Sequence, residues 1–152
     1  MQPSALELTQ MTGLQQLSLI RDGDVAPPGI ATLLGMTLEE IDEGRAVFSL
    51  TTRADMTNPM GGVHGGIAAT ILDSVMGCAV HTTMAPGESY TTADLTVHYT
   101  RSIRVDTGVI TATGSVLHRG RTTATAEGKV HDADGRLLAH GTTTWVIRSI
   151  AP

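Results

Sequence analysis

Between Val63 and Val80 the chain runs through small and apolar residues, and Asp73 is the only one there certain to be charged at pH 7. Apolar or small residues lie on every side of this segment, which as a helix would be buried rather than laid on a surface. The helical neighbours of Asp73 are Ala69, Thr70, Met76 and Gly77, and none of them can neutralise a carboxylate. Something outside the helix must therefore solvate Asp73, or its pKa must rise. A plain structural alternative is an Asp at a wet edge of the helix that accepts hydrogen bonds.

Two further features give a carboxylate something to work on. His64-Gly65-Gly66 opens the helix with bare backbone, so a carbonyl oxygen or an anion can approach the unpaired N–H groups of the first turn. Asn58, set against Pro59 in the preceding loop, adds an amide that both donates and accepts. Gly65 and Asp73 are eight residues apart, about 12 Å along a helix axis at ~1.5 Å per residue. One carbonyl cannot touch both within a single chain. If both act, a two-fold dimer must bring the Gly65 end of one helix to Asp73 of the other, so the spacing predicts a site shared between subunits.

Other chemistries lack their residues. No Gly-x-Ser-x-Gly elbow, P-loop or Gly-x-Gly-x-x-Gly occurs, and the six histidines show no close ligand spacing, so neither metal nor cofactor is expected. Cys78, in mid-helix among apolar residues, reads as a buried inert thiol. A carboxylate working with backbone donors and an amide suits the addition of water to an activated carbonyl.

The elements that must position these groups follow from pattern. Ser4 to Arg21 reads as an amphipathic helix, and Pro27-Pro28 imposes an extended linker. Leu33 to Ile41 and Ala46 to Thr52 read as strands around Asp42-Glu43-Gly44, followed by the loop at Asn58–Gly62 and a helix from His64 to His81. Four Thr- and Val-rich strands come next, at Thr91–Thr100, Thr107–Leu117, Thr122–His131 and Leu138–Ile147. The order implies an α+β domain with an antiparallel sheet against one long helix.

Size and composition agree with one globular domain of 152 residues, with a hydrophobic content of 41%. A net charge of -5 and only four Phe, Trp or Tyr side chains argue against nucleic-acid binding. No apolar run of ~20 residues predicts a membrane span. A single cysteine and the lack of a leader-like N-terminus fit a cytoplasmic protein.

The run Asn58-Pro59-Met60-Gly61-Gly62-Val63-His64-Gly65-Gly66, followed by Asp73, resembles the signature of hotdog-fold acyl-CoA thioesterases of the phenylacetic-acid-degradation type. The resemblance spans roughly Gly29 to Ile147, and residues 1–28 resemble, more weakly, the helical extension and linker of bacterial members. It implies a hotdog domain over 29–152 that hydrolyses aryl-, arylacetyl- or short- to medium-chain acyl-CoA as a dimer, pairing into a dimer of dimers. By the same resemblance, Gly65 N–H would serve as oxyanion donor and Asn58 would polarise the carbonyl or hold water. Asp73 of the partner would act as base or nucleophile, and His64 would orient Asn58 or the leaving thiol. A threonine hydroxyl, Thr91 or Thr92, would assist the water. Arg119-Gly120-Arg121-Thr122 would border the nucleotide channel, with Arg101 and Arg104 as a second cluster; ordinary turn charge is the alternative for both. Gly77, four residues after Asp73, departs from relatives with a Glu base. Phe48 and Trp145 are assigned to core packing. Two other functions remain open: an acyl-CoA sensor without catalysis, and hydrolysis of carrier-protein thioesters.

Overall fold

The computed structural model describes residues 4–149. Two short helices lead, α1 (Ala5–Thr9) and α2 (Gly13–Arg21), then α3 (Gly29–Leu34), β1 (Thr37–Asp42), β2 (Arg45–Thr51) and the long helix α4 (Gly65–His81). Strands β3 (Glu88–Tyr99), β4 (Val109–Arg119), β5 (Thr123–Asp132) and β6 (Leu137–Ser149) complete the chain. The six strands form one antiparallel sheet in the order β1-β2-β4-β5-β6-β3, which wraps α4. This is the α+β hotdog fold.

The core lies between the sheet and α4. Along α4, Ile71, Leu72, Val75, Met76, Ala79 and Val80 are sealed from solvent against Leu50, Ile110, Ala112 and Val130. The sheet meets the helix over a pair of glycines, Gly114 on β4 opposite Gly128 on β5, while Gly141 on β6 lies against β3, where a Cβ would be 2.4 Å from Thr96 O. A Cβ on Gly114 would lie 2.6 Å from the Val75 carbonyl oxygen, and one on Gly128 would lie 2.9 Å from a Leu72 methyl. Bare backbone at this pair lets helix and sheet approach.

Two expectations need correction. The N-terminal segment is not one helix: Thr12 accepts from Gln15 N–H while Gln15 reaches back to Thr12 N–H, so a capping box starts a second helix after a break. Leu33 lies in α3, not in a strand, because Gly35 at φ +70° closes that helix before β1 begins at Thr37. The remaining strands and α4 lie within two or three residues of their predicted places.

Candidate active site

The loop before α4 is tied at both ends. Asn58 N–H donates to Gly62 O at 2.8 Å, Gly61 N–H donates to Asn58 O at 3.0 Å, and Gly61 takes φ +83°. Val63 N–H donates to Ile103 O and His64 N–H to Met56 O, which fixes where the helix starts. The Asn58 side-chain oxygen accepts from Met60 N–H at 2.9 Å, leaving its NH2 group available.

His64 caps its own helix. Its Nδ1 accepts from Gly66 N–H at 2.9 Å, so that nitrogen carries no proton and Nε2 is the donor. Among the described residues no hydrogen bond joins the ring to Asn58, and Nε2 is free to donate. Ile67 N–H donates to His64 O, and among the described residues Gly65 N–H has no partner. It is the one uncommitted donor of the first turn. On its other side, Gly65 O accepts from the Tyr99 hydroxyl at 2.8 Å.

Asp73 stands two turns further along α4, half-buried. Thr92 Oγ1 donates to its Oδ1 at 3.2 Å, which selects Thr92 over the exposed Thr91 as the hydroxyl that meets it. Burial pushes the Asp73 pKa above its ordinary value, and the Thr92 hydrogen bond opposes part of that rise. Thr92 is aimed by a bulge: β3 pairs Thr92 with Trp145 and then Asp94 with Thr144, so Ala93 is the extra residue. Asp94 fixes the kink by accepting from Thr144 N–H at 3.0 Å.

Within one chain the two halves face different cavities. Asp73 and Thr92 line one of about 400 Å³, whose walls are otherwise mainly apolar. Asn58, His64 and Gly65 line a second of about 370 Å³, together with Tyr99 and Arg101.

Phe48 and Trp145 do pack in the core, but they also line the Asp73 cavity, together with Tyr90. Tyr90 meets Trp145 edge-on, ring centroids 5.0 Å apart. All four Phe, Trp and Tyr side chains of the sequence thus border one of the two cavities. Their scarcity was the available signal, and sequence order could not say that they converge. Gly77 also gains a reason: a Cβ there would lie 2.8 Å from the Trp145 ring. Cys78 lines the same cavity, and its thiol is pushed up to about 12 by burial and the nearby Asp73 charge, so it is no nucleophile.

Of the arginine turn, Arg119 is directed inward. It pairs with Glu88 at 2.6 Å and also donates to Gly120 O, so its charge is matched within the chain. Gly120 N–H donates to Thr123 O, and Thr122 O accepts from Ile147 N–H, so both hold the β4–β5 hairpin in place. Arg121 is exposed, with no ion-pair partner among the described residues. In the other cluster Arg104 pairs with Asp106 at 2.8 Å, whereas Arg101 has no ion pair among the described residues and borders the Gly65 cavity.

Comparisons with known proteins agree with this fold. Residues 60–139 match the Thioesterase superfamily. The human acyl-coenzyme A thioesterase 13 is 30% identical over 109 residues, covering 70% of this chain and 75% of that protein. A 1,4-dihydroxy-2-naphthoyl-CoA hydrolase of Listeria monocytogenes is 24% identical over 110 residues, covering 72% of this chain and 88% of its own. Among solved structures, a phenylacetic acid degradation-related protein of Ralstonia eutropha superposes with a TM-score of 0.77 at 27% identity, over 85% of this chain and 97% of that one.

Proposed function

Because this chain belongs to the thioesterase superfamily, we propose that it hydrolyses acyl-CoA thioesters to the free acid and CoA, at a site shared by two copies. Asp73 of one copy takes a proton from water as the water oxygen bonds to the thioester carbonyl carbon. Gly65 N–H of the other copy receives the developing oxyanion, and the Asn58 amide donates beside it. Collapse of the adduct breaks the C–S bond, and the thiolate takes up the proton held by Asp73. In the alternative course Asp73 attacks the carbonyl carbon and the C–S bond breaks to release the thiolate; water then cleaves the mixed anhydride to give the acid and free Asp73, and a proton from that water ends on the thiolate. Thr92 holds the carboxylate in either case.

The observation that carries this proposal is the separation of base and donor into two cavities on one helix, which a two-fold partner would reunite. The edge strand β3, paired only with β6, offers a free backbone edge for such a partner, and we read the larger assembly as a dimer of dimers. The names of the human and Listeria relatives favour CoA as the thiol, and Arg101 beside the Gly65 cavity and Arg121 are the candidate phosphate ligands. An aryl or arylacetyl group would suit the aromatic lining of the Asp73 cavity. Among the described residues no helix is long and apolar enough to cross a membrane, and with one unpaired cysteine we place the reaction in the cytoplasm.

Release of free thiol from acetyl-, octanoyl-, phenylacetyl- and hydroxybenzoyl-CoA, with a carrier-protein thioester alongside, tests the proposal. Asp73→Asn should lower turnover by ~10²-fold or more while leaving the fold intact. Near-normal turnover in that variant would reject the mechanism, and binding without hydrolysis in the wild type would favour a sensor.

A further inference from the structure

The cavity that holds Asp73 has a wall that neither the sheet nor α4 supplies. Leu17, Ile20 and Arg21 on α2, Pro28, Ile30 and Ala31 at α3, and Met36 line it. Arg21 is paired with Asp22 at 2.8 Å, and the other side chains are apolar and can move no proton and hold no charge. What they can do is limit which part of a ligand fits beside Asp73.

The wall is docked, not loosely laid on. Gly13 N–H donates to Met84 O at 3.0 Å, and a Cβ on Gly13 would lie 1.7 Å from the His81 carbonyl oxygen, so only glycine allows α2 to sit this close to the end of α4. Gln16 turns its NH2 group to Leu8 O at 2.7 Å and Met11 O at 3.3 Å. Its oxygen therefore accepts from His81 Nε2, 2.9 Å away, and ties α2 to the last turn of α4. Leu17, one residue on, is only 6% exposed. A wall fixed at this many points can measure a ligand.

We propose that Leu17 and Ile20 are specificity-determining residues that set how long an acyl group the Asp73 cavity accepts, an inference that rests on the thioesterase reading above. A cavity of about 400 Å³ holds roughly a dozen groups of methylene or water size at ~30 Å³ each. That matches a medium-length or single-ring acyl group, with α2 as the stop against longer chains.

The experiment measures dissociation constants of S-alkyl-CoA thioethers, which cannot be hydrolysed, from S-butyl to S-tetradecyl. In the wild type each methylene that fits should tighten binding about fourfold, and the gain should end where the chain meets α2. Leu17→Ala with Ile20→Ala should move that break point to chains about two to four carbons longer, on the same gain per methylene. Leu17→Phe should move it the other way. Opposite shifts cannot come from a general loss of folding. An unchanged break point in both variants, or no chain-length dependence in the wild type, overturns the proposal. Hydrolysis by the wild type is scored separately: its absence would remove the thioesterase reading while the thioether break point still reports on the wall.

Discussion

In the proposed mechanism Asp73 works as base or nucleophile only while it is ionised, and burial and the Thr92 hydroxyl act on that condition in opposite senses. Burial raises its pKa above the ordinary 3.8, and the Thr92 hydroxyl holds it down. Activity should therefore fall as pH drops through the raised value. Thr92→Val removes the hydrogen bond to the charged form, so the pKa rises further and the acid limb of the rate profile moves to higher pH. Turnover on the alkaline side should recover toward wild type. A profile lowered equally at every pH would instead mean that Thr92 positions the water. That Asp73 needs a partner was legible in the sequence, because an isolated charge in an apolar helix cannot stand alone. Which partner was not: the choice between Thr91 and Thr92 depends on the strand's register and on the bulge at Ala93, set by pairing with a strand some fifty residues away.

At the level of elements, local signals read well where they were sufficient. Helix α4 announced itself through its apolar run, its glycine entry and the Ala85-Pro86-Gly87 stop, and the late strands through alternation and turn residues. The break between α1 and α2 was also written locally, in Thr12 and Gln15, but a helical period running across it hid the cap. Strand β1 was started too early because Leu33 and Leu34 suit a strand as well as a short helix. The glycine pair under α4 carried no local meaning at all, since it depends on two strands in register. There, Gly114→Ala forces a Cβ against the Val75 carbonyl oxygen and the Met76 nitrogen, backbone atoms that cannot rotate away. The expected cost is about 1–3 kcal/mol, a fall in Tm of roughly 3–10 °C by calorimetry. The same substitution at Gly61 should lose the loop conformation instead, because only the positive φ is at stake there.

For the whole molecule the decisive measurement is complementation. Gly65 is the first residue of α4, where proline is tolerated, so Gly65→Pro deletes the donor N–H; its Cβ would lie 3.1 Å from the Tyr99 hydroxyl, and the Tyr99 side chain must shift slightly to admit it. Each of Gly65→Pro and Asp73→Asn should be inactive alone. Mixed one to one and allowed to exchange subunits, they should regain about a quarter of wild-type activity, since half the dimers are mixed and each has one intact site of two. No recovery after verified exchange would overturn the shared site.

The strand order has a consequence for how the site comes into being. Strand β3 leaves the ribosome well before β6, yet β6 is its only partner in the sheet, and β4 and β5 are made in between. Until residues 137–149 arrive, β3 has no strand to pair with among the described residues, and Thr92 lacks the ladder that sets its register against Asp73. Synthesis from one end therefore cannot complete the β3 ladder before the last strand is made, because that strand is what joins β5 to β3.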